Sequence, residues 1–360
     1  MHDRRQVWKV ISLVQGFPIE GELALASRVL AGPESRHLLE EVRSGLVRVD
    51  RRLEVELASA TALSNATRRY RFDSRVKRVR PLLALLTAQL GEGITEGVVD
   101  AVAAFELTCL GSRYHDDVMD DVETHRGAHA ARAVRDNSVA ILTGDILFSR
   151  ASQLMARLGA PAIELHTAAF ERLVLGQMRE AVGPYQGVDH VGFHLRVLGD
   201  KSGSLVGASA MVGALLADAP EEYHRPLMEF GERVGVAFRL FDDGLNLASH
   251  EDETWRLSVP DSRAGIPAMP LLLLREWSDD ASVHLRIRLD EGIARIVDGA
   301  DPCTLDEATG ELRDHDATHA TRELARAWSR DAITALDSIP DGTIREGLTR
   351  LALALTEPSR

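Results

Sequence analysis

Four aspartates fall within six residues in the segment HDDVMDD: Asp116, Asp117, Asp120 and Asp121. On a helix, Asp116 and Asp120 stand one turn apart on the same face, and Asp117 and Asp121 repeat that relationship beside them. Each like-charged pair at this spacing costs a helix about 0.2–0.5 kcal/mol, and more where water is excluded. A solvated acidic face would tolerate that cost, and it is the common fate of a charge run. The flanks argue otherwise. Upstream, Ala101–Leu110 carries Val102, Ala103, Phe105, Leu107 and Leu110, and downstream Asn137–Ala151 (NSVAILTGDILFSRA) is also largely apolar. A helix buried for most of its length that ends in four carboxylates needs hard cations. Mg²⁺ takes oxygen ligands, keeps some waters and is commonly shared between carboxylates and phosphates. A second cluster, in GVAFRLFDDGLNLAS, places Asp242, Asp243 and Asn246 at i, i+1 and i+4 on another apolar stretch. Two such helices facing each other would hold several magnesium ions around one diphosphate.

An anionic ligand also needs fixed cations, because the chain is acidic overall, with a formal net charge of −13. Arg75, Lys77, Arg78 and Arg80 form a basic knot just before an apolar, proline-started segment. A solvated loop is the competing reading for that knot. The acidic balance argues against nonspecific binding to nucleic acid. No G-x-x-x-x-G-K loop or Ser/His/Asp arrangement competes for the chemistry. His115-Asp116 has the form of a metal phosphohydrolase pair, but the other ligands of such a site are not evident.

The elements that must position these residues are helices. Aromatics make up only 5% of the chain, and Leu, Ala, Val, Arg and Glu dominate, a composition suited to helix packing. Helix-period patterns run from Ser35 to Leu63, from Pro81 to Leu90, and then at about 96–122, 137–158, 160–182, 188–217, 220–248, 268–296, 317–335 and 343–355. Residues 250–270 are expected to form the longest loop. The expected architecture is an all-α single helical bundle with a central cavity, residues 1–35 forming an N-terminal helix and arm and residues 36–360 the main domain. The two cysteines, Cys109 and Cys303, lack metal-ligand spacing, and a reducing cytoplasm is the default. No run of about 20 apolar residues suggests a membrane span.

The ordered stretches KRVRPLL (77–83), HDDVMDD (115–121), HRG (125–127), NSVAILTGDILFSRAS (137–152), FERLVLGQMRE (170–180), DKSGSL (200–205) and GVAFRLFDD (235–243) resemble the trans-isoprenyl diphosphate synthases, above all their bacterial medium- and long-chain members. The resemblance implies the isoprenoid synthase fold, a homodimer, and several Mg²⁺ ions held by Asp116, Asp117, Asp120, Asp121, Asp242, Asp243 and Asn246. It implies that Lys77, Arg80, His125 and Arg126 bind the diphosphate of isopentenyl diphosphate. Lys201 and Ser202 would act on the allylic diphosphate where a helix kink turns them inward, with Arg126, Arg239 and Arg256 assisting. Gly111 and Ser112, in the fifth and fourth positions before Asp116, correspond to the floor of the product tunnel, and small residues there imply a deep cavity.

Departures from the pattern matter as much. A histidine usual seven residues before the first aspartate is here Cys109, an arginine pair is His125-Arg126, Phe-Gln before the second cluster is Phe238-Arg239, and its last aspartate is Asn246. Arg113, where the family has an apolar residue, either replaces the missing histidine cation or pairs with Asp117. The losses leave three outcomes open: elongation of an allylic prenyl diphosphate with isopentenyl diphosphate, terpene cyclisation on the same fold, or a non-catalytic subunit of a heteromeric synthase.

Overall fold

A computed structural model describes residues 20–61, 79–119, 124–125, 128–129, 137–246, 268–297 and 305–357. In chain order the helices are α1 (Glu20–Val29), α2 (Arg36–Thr61), α3 (Val79–Thr87), α4 (Glu96–Met119), α5 (Asn137–Met155), α6 (Ala160–Val182), α7 (His190–Leu198), α8 (Ser204–Leu215), α9 (His224–Asn246), α10 (Met269–Leu274), α11 (Asp280–Val297), α12 (Asp306–Asp314), α13 (Asp316–Thr334) and α14 (Thr343–Leu355). A short antiparallel pair, β1 (Thr124–His125) and β2 (Ala128–His129), has Thr124 opposite His129 and His125 opposite Ala128. The all-α expectation holds.

Helix α4 is the centre of the bundle. It starts where the Thr95 hydroxyl accepts from the Val98 backbone N–H at 3.2 Å, a side-chain cap on an otherwise unpaired donor. It is then buried nearly all round, through Val98, Val102, Phe105, Leu107 and Tyr114, because α2, α3, α5 and α8 surround it. Helix α3 is equally enclosed: Leu82, Leu83, Leu85 and Leu86 are all fully buried, each contributing about 1.5–3 kcal/mol of burial. Residues of α1 (Leu25, Ala26, Val29) join the same core.

Helix α8 separates the two carboxylate-bearing helices, α4 and α9, and touches both. Its approach to α9 is a glycine seam. A Cβ on Gly207 would lie 2.8 Å from the Met228 carbonyl oxygen, and one on Gly235 would lie 2.9 Å from the Gly203 Cα. On its other side, a Cβ on Gly213 would come within 2.1 Å of the Ala84 carbonyl oxygen.

The 188–217 pattern is a helical run that kinks where expected, through the π-helical turn Gly199–Gly203 between α7 and α8. Two expectations about elements need correction. The 268–296 pattern divides into α10 and α11, because Asp279 starts a new helix by accepting from the Ser282 backbone N–H at 3.0 Å. Helix α12 was not expected from the periodicity. Most of the predicted 250–270 loop lies outside the described residues.

Candidate active site

The π turn is the local feature that builds the site. A single extra residue per turn rotates the side chains that follow it, and such turns concentrate at functional positions. Helix α6 can come close to this turn because residue 176 is glycine. A Cβ there would stand 2.9 Å from the Lys201 backbone nitrogen. Arg172, one turn earlier on α6, clamps the turn. Its Nε donates to Asp200 at 3.1 Å, and its two terminal nitrogens donate to Glu232 of α9 at 3.1 and 2.6 Å. The bidentate Glu232 bond is the main reason the Arg172 guanidinium is held above its ordinary range.

Lys201 Nζ, thus aimed inward, donates to Glu180 of α6. Burial alone would lower this lysine, but the charges of Glu180 and Asp116 outweigh it and hold the ammonium above its usual range. Lys201 therefore keeps its charge although half-buried. Asp116 of α4 accepts from Gln177 Nε2, so the first cluster meets α6 one turn before Glu180. Arg239 of α9 adds a repulsive charge to Lys201. It donates to Asp242 at 3.2 Å and lies 3.9 Å from Asp243 Oδ1. Asp243 is buried, which by itself would raise its carboxyl, yet contacts from His194 and the charge of Arg239 keep it below the usual carboxylate range.

The structure thus gathers Asp116, Lys201, Arg239, Asp242 and Asp243 from both ends of the sequence pattern. Arg80 lies on α3 and pairs with Glu106 of α4 at 2.8 Å. Cys109 is a half-buried free cysteine against the core. Arg113 is half-buried and makes no ion pair among the described residues. Ser202 follows Lys201 in the π turn and is half-buried. The Ser112 hydroxyl donates to the Cys109 carbonyl at 3.0 Å. Gly111 is buried, and the Phe148 ring of α5 reaches to 2.7 Å of where its Cβ would stand. Lys77, Asp120, Asp121, Arg126 and Arg256, and the side chains of Asp117, His125 and Asn246, lie outside the described residues.

Residues that sequence reasoning did not single out are Gln177 and Glu180, an inward pair one turn apart on α6, and His194. A polar pair at i, i+3 on an otherwise apolar helix face was their available signal. His115 turns toward α5: its Nε2 is 3.1 Å from the Ile141 carbonyl and 3.4 Å from Asp145 Oδ1, and its ring packs edge-on against Phe148.

Among the described residues, no three acidic, His or Cys side chains form a cage able to hold an ion alone. Asp116 of α4 and the Asp242–Asp243 pair of α9, gathered about Lys201 and Arg239, still fit magnesium. This ion binds through one or two carboxylates and completes its shell with water and substrate phosphate rather than with an all-protein cage.

Comparison with known proteins agrees with this geometry. The polyprenyl synthetase family model matches residues 61–291. The chain is similar to the nonaprenyl diphosphate synthase of Mycobacterium tuberculosis, 35% identical over 86% of this chain and 91% of that protein. It is also similar to the heptaprenyl diphosphate synthase component 2 of Geobacillus stearothermophilus, 30% identical over 77% of this chain and 84% of that one. Among solved structures, the geranylgeranyl pyrophosphate synthase of Corynebacterium glutamicum, complexed with calcium and isoprenyl diphosphate, aligns with a TM-score of 0.72 at 30% identity, covering 91% of this chain and 98% of that one. With carboxylate-bearing helices about a half-buried lysine and this match over most of its length, the chain belongs to the polyprenyl synthetase family, the trans-isoprenyl diphosphate synthases.

Proposed function

We propose that this enzyme ionises an allylic prenyl diphosphate with the help of Mg²⁺ and elongates it with isopentenyl diphosphate. The observation that carries the reading is the meeting of Asp116, Lys201, Arg239 and the Asp242–Asp243 pair at one inward-facing place. Magnesium bound between the carboxylates and the diphosphate would supply charge neutralisation for the leaving group. The protein's part is positioning and electrostatics. Lys201 offers a permanent cation where the allylic C–O bond breaks and its electron pair leaves with the diphosphate. Arg239 reaches the same anion if it gives up Asp242. The allylic cation is captured by the double bond of isopentenyl diphosphate, and the released diphosphate takes the final proton. Arg80 and Arg113 would hold the second substrate on the α3 side of α4, and the sequence pattern assigns Lys77 and Arg126 to the same substrate.

The relatives' names support elongation over cyclisation, since they are synthases of prenyl diphosphates. A homodimer in the cytoplasm completes the reading. Its support is an exposed apolar stripe on α6 (Val174, Met178, Val182) together with Leu142 of α5. No helix among the described residues is long and apolar enough to cross a membrane.

The test is purified protein with Mg²⁺ and farnesyl or geranylgeranyl diphosphate, with and without isopentenyl diphosphate. Longer prenyl diphosphates that form only when both substrates are present are expected. A hydrocarbon or alcohol formed without the second substrate would establish cyclisation instead. Inactivity cured by another subunit would establish a heteromeric partner.

A further inference from the structure

His194 lies on the inner face of α7, between buried Phe193 and Val197, and is itself only 5% exposed. An imidazole there has to find a polar partner, since its desolvation is otherwise uncompensated. Among the described residues neither ring nitrogen makes a hydrogen bond, and the acidic group beside them is Asp243, whose Oδ2 lies 3.5 Å from His194 Nε2. The two oxygens of Asp243 therefore have different surroundings. Oδ2 faces the buried imidazole, while Oδ1 faces Arg239 at 3.9 Å on the side of Asp242. Helix α7 also runs directly into the π turn that carries Lys201, so one short helix joins that turn to the second carboxylate cluster.

We infer that His194 is a positioning residue for Asp243: Nε2–H fixes Oδ2 from beneath and leaves Oδ1 to face the bound metal and diphosphate. The inference rests on the proposed reading of Asp243 as a magnesium ligand. An imidazole N–H is a directional donor, so it fixes the carboxylate's rotation as well as its depth. Partners of this kind behind ligating carboxylates typically govern metal affinity by about 10–100-fold when removed. No ring nitrogen of His194 need change protonation for this role, and nothing in it requires His194 to touch substrate.

The experiment titrates Mg²⁺ into protein plus inorganic pyrophosphate by calorimetry, alongside thermal melting. His194→Phe fills the space without a donor, and His194→Gln retains one. The expected result is a rise of about tenfold or more in the Mg²⁺ midpoint for H194F, and a change within about threefold for H194Q. Wild-type protein labelled with ¹⁵N-histidine gives a readout that needs no stable H194F: the His194 Nε2 resonance, assigned with H194Q, should shift on addition of Mg²⁺ and pyrophosphate. A folded H194F with the wild-type midpoint would overturn the inference. So would equal losses in H194F and H194Q that follow their melting temperatures, or an unmoved Nε2 resonance. If Asp243→Ala leaves the wild-type midpoint unchanged, the metal reading of Asp243 is wrong, and the role of His194 falls with it.

Discussion

Lys201 of the π turn is ion-paired with Glu180 of α6, and this single contact bridges the element that holds the cation to the helix that also orients Asp116. The pair keeps Lys201 protonated against the pull of burial, with Asp116 adding to the effect. Removing Glu180 should therefore let the ammonium deprotonate more easily. Glu180→Gln is expected to move the basic limb of the kcat/KM profile to lower pH, while Lys201→Met should lower kcat by about 100-fold or more at every pH. Steady-state kinetics across pH distinguishes the two, and an unmoved basic limb in E180Q would show that the pairing has no catalytic weight.

Arg113 supplies a second prediction. It follows Cys109 by one turn on α4, on the face where Glu106 meets Arg80. A charge-assisted hydrogen bond is worth about 1.5–3 kcal/mol, so Arg113→Leu should raise the KM for isopentenyl diphosphate by about tenfold or more. The KM for the allylic substrate should stay within about twofold. Cys109→His in the R113L background should recover part of the loss. Equal effects on both substrates would place Arg113 elsewhere.

His166 of α6 gives a prediction about stability. It is 3% exposed, packs edge-on against Phe105, and shares a 2.8 Å hydrogen bond with the Thr108 hydroxyl. Since that hydroxyl also donates to the Ala104 carbonyl at 3.0 Å, the imidazole donates from Nε2 and is neutral. Burial pushes its pKa down to about 4. The unfolded chain binds this proton near pH 6.5 and the folded chain only near 4, so stability should be complete above about pH 6.5 and decline toward pH 4. The contribution lost is on the order of 3 kcal/mol. Urea unfolding of the wild type and His166→Gln between pH 4.5 and 7.5 measures it, and the variant should show the shallower dependence.

The glycine contacts predict a large effect from a small change. Gly213→Ala would place a methyl group against the Ala84 backbone, an atom that cannot swing aside. Helices α3 and α8 would have to separate, at a cost of about 1–3 kcal/mol. A lower melting temperature with an unchanged far-ultraviolet helical signal is expected. A wild-type melting temperature would mean that the two helices part more readily than their burial implies.

The fold and the carboxylate clusters were legible because they rest on short-range pattern. The spacing of Asp116 with Asp120, and of Asp242 with Asp243 and Asn246, is readable wherever a helix is, and the apolar flanks of α4 and α9 supply the helices. Lys201 was legible through its surroundings in DKSGSL, and the expected kink is realised as a π turn. Gln177 and Glu180 offered only their i, i+3 spacing, which does not tell what they face, and His194, a polar residue in an apolar helix, offered no spacing at all. Residue size was ambiguous for a related reason. A glycine such as Gly111 can signal an open cavity or a close neighbour, and only the arrival of Phe148 from α5 separates the two. The break between α10 and α11 depends on Asp279 capping a new helix, a local choice that hydrophobic period does not encode.

At Gly203, Gly207, Gly231 and Gly235 two main chains meet with almost nothing between them. The spacing from the cation on one helix to the anions on the next is therefore ruled by peptide geometry rather than by whichever side chains fill the interior. Side chains elsewhere in the core are free to be exchanged without altering that spacing. The distance between the charged groups and the packing of the interior can thus diverge independently in evolution.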